Sequence, residues 1–234
     1  MQHAAAGPSL SMFKKVPVSW KPAFRIVPTR FPTIYLYDRV ANQADFDVLN
    51  RLEAMTNPRL RDEVGELALV PEAGRLFGAG CGPIMAAFTH LNPAGSRFSD
   101  GSYGVFYAAK ERATAIAETR YHSELFLLAT KESAMHLQMR LYHVKVQGEV
   151  ADLHGYAKKH ADIVAPDSYG AAQAVGKTVR ASGAHGLIYP SVRAVGGSCV
   201  AAFRTRILKD CRHASYLEYH WDGTSINYIT EQLQ

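Results

Sequence analysis

GSRFSDGSYGVFYAAKERATAIAETRYHSE, residues 95–124, places a glycine-rich loop, a short strand and a helix in direct succession. The loop carries Arg97, the strand ends near Tyr107, and the helix presents Glu118. The planar fork of an arginine suits a phosphate group, and a partly buried carboxylate suits a developing positive charge. The stretch therefore predicts a site for a phosphate-bearing ligand that becomes cationic at one carbon during reaction.

On either side of this stretch, helices interrupt strands irregularly, and several neighbouring strands have the pattern of hairpins. This arrangement favours a mixed α+β fold over a doubly wound parallel sheet. Residues 1–32 are rich in Pro, Ser and Ala and predict an extended lead-in, and residues 33–234 predict a single catalytic domain. Within that domain the apolar periodicity predicts strands at 33–40 and 135–150, helices at 44–56, 82–91, about 111–128 and 168–182, two strands within 186–208, and a C-terminal hairpin.

Two of these helices have specific inward-facing residues. In the helix after Tyr107 we expect Ala113 and Ala117 to be buried, and in the helix at 168–182 we expect Ala172, Val175 and Val179 to face inward. Gly176 lies inside the second helix, where glycine is unfavourable.

Composition describes an ordinary globular protein. The chain has 234 residues, of which 47% are hydrophobic and 20% are charged, with a formal charge of +5. Because no long Lys/Arg block and no basic helix face occurs, we expect no direct binding of nucleic acid. The excess of positive charge fits a basic cleft for a small anion, and equally a scattered, solvated surface.

Three widely spaced cysteines, Cys81, Cys199 and Cys211, form neither a C-x-x-C pair nor a Cys/His cluster, so we expect no zinc site. Their number suits a reducing compartment. No apolar run approaches the length of a membrane span, and the N-terminal sequence does not resemble a signal peptide. We therefore expect a cytoplasmic protein without membrane contact.

Alone, each candidate residue also fits a structural role. Arg97 is typical of a solvated loop arginine, Arg39 of a surface ion pair, Tyr107 of a core tyrosine, Glu118 of an exposed helix face and Ser191 of a turn. The sequence contains no G-x-S-x-G elbow, no phosphate-binding G-x-x-x-x-G-K-[ST] loop and no H-E-x-x-H pair, and its histidines are scattered.

In their order along the chain, these five residues resemble the RES-domain family, which comprises toxin components of bacterial toxin–antitoxin pairs and is named for Arg, Glu and Ser residues. The resemblance rests on residues 95–118 and on YPSVR downstream, and it covers about residues 33–205. Phe98-Ser99 departs from the aromatic–asparagine pair usual in the family, and the segment between Arg39 and Arg97 is long.

The resemblance implies a fold similar to ADP-ribosyltransferases, with a split, mixed β-sheet, flanking helices and a cleft for NAD. NAD would be the substrate, with no cofactor and no metal. Arg97 and Arg39 would bind the pyrophosphate, Tyr107 would pack on the nicotinamide or its ribose, Glu118 would stabilise the cation, and Ser191 would hydrogen-bond the nicotinamide side or a phosphate.

Three functions remain open at this stage. The first is a toxin that hydrolyses NAD (possibly NADP) and arrests growth by depleting it. The second is a mono-ADP-ribosyltransferase that modifies a cellular protein, and the third is a non-enzymatic partner-binding domain. The resemblance further implies an antitoxin that covers the cleft, and homodimerisation is compatible with it.

Overall fold

A seven-stranded mixed sheet forms the centre of the computed structural model, which describes residues 13–31, 36–56 and 64–233. The strands are β1 (Lys14–Pro28), β2 (Phe106–Ala109), β3 (Met135–Asp152), β4 (Gly186–Pro190), β5 (Ser198–Ala202), β6 (Leu208–Trp221) and β7 (Ile226–Leu233). Their order in the sheet is β1-β2-β5-β4-β3-β6-β7. The β3–β4 pair is parallel, and the other pairs are antiparallel.

The long strand β3 divides the sheet. It pairs with β1 along most of its length, while its opposite edge pairs first with β6 and then, at Ala151 and Asp152, with β4. Two register shifts in the β3–β6 pairing lie at Leu141/Tyr142 and His143/Lys145. In the same region the apolar residues of β3 change from odd to even positions: Met139 and Leu141 belong to the core on one face of the sheet, and Val144 and Val146 belong to the core on the other face. The predicted mixed, split sheet is confirmed.

In the described part of the chain five helices accompany the sheet, and apolar cores cover both of its faces. Strand β2 illustrates the division, since Tyr107 and Ala109 belong to one core while Phe106 and Ala108 belong to the other. The helices are α1 (Gln43–Thr56), α2 (Gly82–Thr89), α3 (Arg112–Thr130), α4 (His154–Ala157) and α5 (Gly170–Ala181). None of them, within the described part of the chain, has the length and apolar composition of a membrane span.

Residues 14–28 were expected to lie in a lead-in that precedes the domain, but they form β1, a strand of the sheet itself. Its alternation of apolar residues, from Val16 and Val18 to Ile26, is masked in the sequence by Pro17 and Pro22. Lys14 to Pro28 pair with β3, with an irregularity between Trp20 and Ala23.

The predicted strand at 33–40 is a second difference. Residues 33–35 lie outside the described part of the chain, and Tyr37–Arg39 form a 3₁₀ turn instead of a strand. Tyr37 is fully buried and stacks on Phe46 of α1, with ring centroids 5.1 Å apart. The 3₁₀ conformation of this segment therefore goes with the burial of one large aromatic ring. The alternation of apolar residues in the sequence could not indicate that burial.

Helix α3 begins as predicted, but its buried face differs from the expected one. Ala115 and Thr114 are buried, whereas Ala113 is exposed and Ala117 is only partly buried. Glu118 lies one turn beyond Thr114 and Ala115 and is partly buried.

In α5 the inward residues Ala172, Val175 and Val179 are buried, as predicted. Gly176 has a packing reason, because a Cβ atom there would lie 2.2 Å from the carbonyl oxygen of Phe98. The helix thus contacts the backbone of the loop that carries Arg97.

The strands predicted within 186–208 are β4 and β5, but the second ends at Ala202 and a 3₁₀ turn at Thr205–Ile207 precedes β6. The predicted C-terminal hairpin is β6–β7. The carboxylate of Asp222 accepts hydrogen bonds from the backbone N–H groups of Thr224 and Ser225, which stabilises the turn.

Candidate active site

A tightly bonded loop between α2 and β2 carries Arg97. Ser96 and Ser99 form an isolated β-bridge, and the amide of Gln173 in α5 donates to the carbonyl oxygens of both serines. Gly95 has a φ of 74°, and a Cβ there would lie 2.6 Å from the carbonyl oxygen of Ser99. Glycine is therefore required at the entrance of the loop, and the position of Arg97 is determined by backbone contacts.

The guanidinium of Arg97 is held from two sides. Its Nη1 donates to the carbonyl oxygen of Ala165 at 2.8 Å, and its Cζ lies 4.6 Å from the centroid of the Tyr169 ring. Only 7% of the residue is exposed. Because stacking and a backbone acceptor orient the plane, Arg97 presents a preorganised fork.

Tyr107 links this loop to β2. Its hydroxyl accepts a hydrogen bond from the N–H of Phe98 at 3.0 Å and lies 2.8 Å from Oγ of Ser96. Burial raises the pKa of Tyr107 to about 12, so the phenol stays neutral near neutral pH. The hydroxyl therefore positions the Arg97 loop, and its hydrogen bonds leave the ring as the part of Tyr107 suited to contact a ligand.

Glu118 is oriented by the turn that follows β4. Its Oε1 accepts hydrogen bonds from the hydroxyl of Ser191 at 2.6 Å and from the N–H of Val192 at 3.2 Å. The Ser191 hydroxyl oxygen in turn accepts from the N–H groups of Arg193 and Ala194 at 3.1 and 3.0 Å. The carboxylate is thereby held at one oxygen, and none of the described residues donates a hydrogen bond to its Oε2.

These elements enclose a cavity of about 410 Å³ that contains three of the five predicted site residues. Arg97, Tyr107 and Glu118 all line it, although they come from a loop, a strand and a helix. Two further aromatic residues, Tyr169 and Tyr189, form part of its wall. The arrangement combines a fixed cation, a carboxylate and aromatic surface, which suits a ligand with a phosphate and a planar ring.

Ser191 and Arg39 do not line this cavity. Ser191 lies behind Glu118 and contacts its carboxylate, so the geometry makes it a positioning residue and not a ligand contact. Arg39 ends the 3₁₀ turn that contains Tyr37, whose ring belongs to the core on the opposite face of the sheet from Tyr107. The structure therefore does not place Arg39 in the cavity that Arg97 lines, and its predicted role at the pyrophosphate stays a prediction.

The second arginine of the cavity is Arg25, which the sequence analysis missed because it assigned β1 to a lead-in. Its Nη1 donates to the carbonyl oxygen of Tyr107 at 3.0 Å, and its Cζ lies 4.3 Å from the Phe106 ring centroid. Burial lowers the pKa of Arg25 from its ordinary value. The signal was present in AFRIV, where an arginine interrupts an otherwise apolar strand.

His122 is a further cavity residue that sequence reasoning treated as one of several scattered histidines. It lies one helical turn after Glu118 and lines the same cavity. Desolvation by the cavity wall lowers the pKa of His122 although the residue keeps an exposed part, and the nearby Glu118 acts in the opposite direction. Its spacing of four residues from Glu118 on one helix face could have indicated it.

A second cavity, of about 460 Å³, adjoins the first. The two share Arg25, Asn92, Gly95, Ser96 and Tyr107 as wall residues. Apolar groups dominate the remaining wall of the second cavity, including Val27, Pro28, Val105 and Tyr103. Arg25 thus lies between the two cavities, and Glu118 lines only the first of them.

The chain is similar to known proteins. A protein of Sinorhizobium fredii (strain NBRC 101917 / NGR234), described as uncharacterized protein y4oC, is 31% identical over 214 residues, which cover 88% of this chain and 85% of that protein. A solved structure, the M. tuberculosis MbcT-MbcA toxin-antitoxin complex, has a chain that is 15% identical with a TM-score of 0.47, over 89% of this chain and 87% of that one.

The sequence profile of the RES domain matches residues 74–222, which is more than half of the chain. This range contains Arg97, Tyr107, Glu118 and Ser191, whereas Arg25 and Arg39 lie before it. The chain therefore belongs to the RES domain family.

Proposed function

We propose that this protein hydrolyses the bond between nicotinamide and ribose in NAD. The observation that carries the proposal is the presence of the buried Arg97, the partly buried Arg25 and the oriented carboxylate of Glu118 in the wall of one cavity. A pyrophosphate needs cationic donors, and a ribose that loses nicotinamide needs a nearby anion. A pyridine dinucleotide that is cleaved at its nicotinamide–ribose bond requires both.

The paired cavities support a dinucleotide as the substrate. In our proposal the nicotinamide riboside half occupies the cavity with Glu118, and the adenosine half occupies the adjoining, more apolar cavity. Arg25 lines both cavities, so it is suited to the pyrophosphate that joins the two halves. Volumes of about 410 and 460 Å³ are within the range of small-molecule sites.

The chemistry follows from the leaving group. The scissile bond joins ribose C1′ to a pyridinium nitrogen, so nicotinamide takes the bonding electron pair and leaves neutral, without a general acid. The ribose becomes an oxocarbenium-like cation, as in glycoside hydrolysis. Glu118 stabilises that cation through its charge. Water then bonds to C1′ and loses a proton, which yields ADP-ribose, nicotinamide and H⁺.

The remaining residues maintain the geometry of this reaction. Ser191 and the N–H of Val192 hold Oε1 of Glu118, which leaves Oε2 to face the ribose. The hydroxyl of Tyr107 fixes the Arg97 loop while its ring packs against the nicotinamide half. Such preorganisation matters because the hydrogen-bonding groups need not rearrange as charge develops.

At the cellular level, we propose that the protein is the toxin of a toxin–antitoxin pair. It acts in the cytoplasm and arrests growth by depleting NAD, and a cognate antitoxin neutralises it by covering the cavity. Transfer of ADP-ribose to a cellular protein uses the same binding site, because only the nucleophile that bonds to ribose C1′ differs. The residues of this site bind NAD in the same way whether water or a protein side chain then bonds to C1′.

The decisive experiment incubates the purified chain with NAD, with and without proteins of a cell lysate. Free ADP-ribose and nicotinamide are expected, whereas label on a lysate protein without free ADP-ribose would replace hydrolysis by transfer. Glu118→Gln keeps the shape of the side chain and removes its charge, and it should lower turnover by roughly 100-fold or more.

Glu72→Gln is the matched control, because Glu72 is exposed and does not line either cavity. It should retain wild-type turnover. NAD consumption by Glu118→Gln at the wild-type rate, or absence of any NAD-derived product from the wild type, would refute the proposal.

A further inference from the structure

A cluster of two histidines and a glutamate lies where the end of β3 meets the hairpin β6–β7. His136 of β3 is directly opposite His220 of β6, and Glu218 precedes His220 by two residues on the same face of β6. One nitrogen or oxygen atom from each of the three side chains lies within 4.8 Å of the other two. Among the described residues, this is the one group of three such side chains that converge in this way.

The distances match those of a tetrahedral metal site. Oε1 of Glu218 lies 3.2 Å from Nδ1 of His136 and 3.2 Å from Nε2 of His220. Zn²⁺ binds histidine nitrogen and carboxylate oxygen at about 2.0–2.1 Å, so neighbouring ligand atoms in a tetrahedron lie about 3.3–3.4 Å apart. These two of the three separations are therefore close to the edge length that the metal requires. Nε2 of His136 lies 3.1 Å from Nδ1 of His220, and both nitrogens carry protons when the metal is bound, so binding requires the exposed His136 ring to turn.

The environment of His220 is that of a ligand with restricted orientation. Only 8% of His220 is exposed, and its ring stacks on Tyr228 with centroids 3.8 Å apart. Thr230 of β7 lies 3.3 Å from its Nε2 and Glu218 lies beside it, so strand pairing places polar partners on the same side. The His136 side chain is 58% exposed, which leaves the cluster open to water on that side.

We propose that His136, Glu218 and His220 bind one divalent transition-metal ion of the Zn²⁺ type, with water as the fourth ligand. Two imidazoles and one carboxylate form a donor set that such ions favour. The site joins β3 to β6 near the C-terminal hairpin and shares no residue with the cavity that contains Glu118. No short motif indicates it, because His136 and Glu218 are 82 positions apart in the sequence.

The test is titration of the metal-depleted full chain with Zn²⁺ by calorimetry, and with Co²⁺ by visible absorption. The wild type should bind one ion, and Co²⁺ should show the intense d–d bands of a four-coordinate site. Removing even an outer partner of a metal ligand typically weakens binding about 10- to 100-fold. His136→Gln and Glu218→Gln should therefore weaken Zn²⁺ binding by more than about 10-fold and abolish the Co²⁺ bands.

His136→Gln is the main variant, because the exposed His136 can change without disturbing the core. His143→Gln is its matched control, since His143 is also an exposed histidine of β3 and lies outside the cluster. The control should bind Zn²⁺ as the wild type does. Wild-type protein without Zn²⁺ affinity, or undiminished affinity in both His136→Gln and Glu218→Gln, would overturn the proposal. Neither result depends on whether the protein consumes NAD.

Discussion

Replacing Ser191 with alanine distinguishes a residue that positions Glu118 from one that contacts the ligand. The substitution removes the hydroxyl that donates to Oε1 of Glu118 at 2.6 Å, while the N–H of Val192 remains as a second donor at 3.2 Å. It also removes the acceptor of two backbone N–H groups in the following turn. The carboxylate should then move more freely relative to the ribose.

The expected magnitude follows from the type of hydrogen bond that is lost. A hydrogen bond to a charged group contributes about 1.5–3 kcal/mol. If the transition state depends on the oriented carboxylate, this energy corresponds to a decrease in kcat of roughly 10- to 150-fold. Because Ser191 does not line the cavity, KM for NAD should remain within about 2-fold of the wild-type value.

The assay measures initial rates of NAD consumption over a range of NAD concentrations. Ser198→Ala is the matched control, since Ser198 also forms a side-chain hydrogen bond, to His154 at 3.1 Å, but has no contact with Glu118. Thermal unfolding of both variants shows whether the fold is retained. A rise in KM with kcat unchanged would refute the positioning role and return Ser191 to the ligand-binding residues.

Three further outcomes follow from the structure. Arg25→Lys keeps the charge but loses the planar fork, so KM for NAD should rise by roughly 10-fold or more. Arg39→Ala is the control and should leave KM unchanged. Equal changes of KM in the two variants, measured by initial rates, would contradict the assignment of Arg25 to the cavity. Gly176→Ala should lower stability by about 1–3 kcal/mol in urea unfolding, because the new methyl group would collide with the Phe98 carbonyl oxygen. Helix propensity alone predicts a gain in stability, and such a gain would contradict this packing. Because the pKa of His122 is lowered in the folded state, the unfolded chain binds more protons below about pH 6.5, and stability should fall as pH falls from 7 through this range. His122→Gln should make the melting temperature depend less steeply on pH. An unchanged dependence of the melting temperature on pH would show that His122 is not the cause.

Local structure and the family could be predicted from the sequence to a large extent. The loop, strand and helix at residues 95–124 are contiguous, and their apolar periodicity indicates the type of each element. For the same reason Arg97, Tyr107 and Glu118 could be selected before their positions in space were known. Their convergence in one cavity is consistent with the short connections between these elements.

The errors lie where a segment depends on distant residues. Strand β1 forms because β3, more than 100 residues later, supplies its hydrogen-bonding partner, and no property of residues 14–28 alone identifies that partner. The 3₁₀ turn at Tyr37–Arg39 likewise depends on the packing of Tyr37 against α1. Contacts with distant segments therefore place Arg25 in the wall of the cavity and Arg39 outside it.

The sequence by itself determined which residue types the site contains, because local periodicity and short motifs are properties of contiguous residues. Only the tertiary structure decided which of them meet, that Ser191 stands behind Glu118, and that His136 lies beside Glu218 and His220. The physical reason is that contacts across a sheet depend on strand register and bulges. A shift of one residue moves every side chain to the opposite face, and one-dimensional patterns do not specify that register between distant segments.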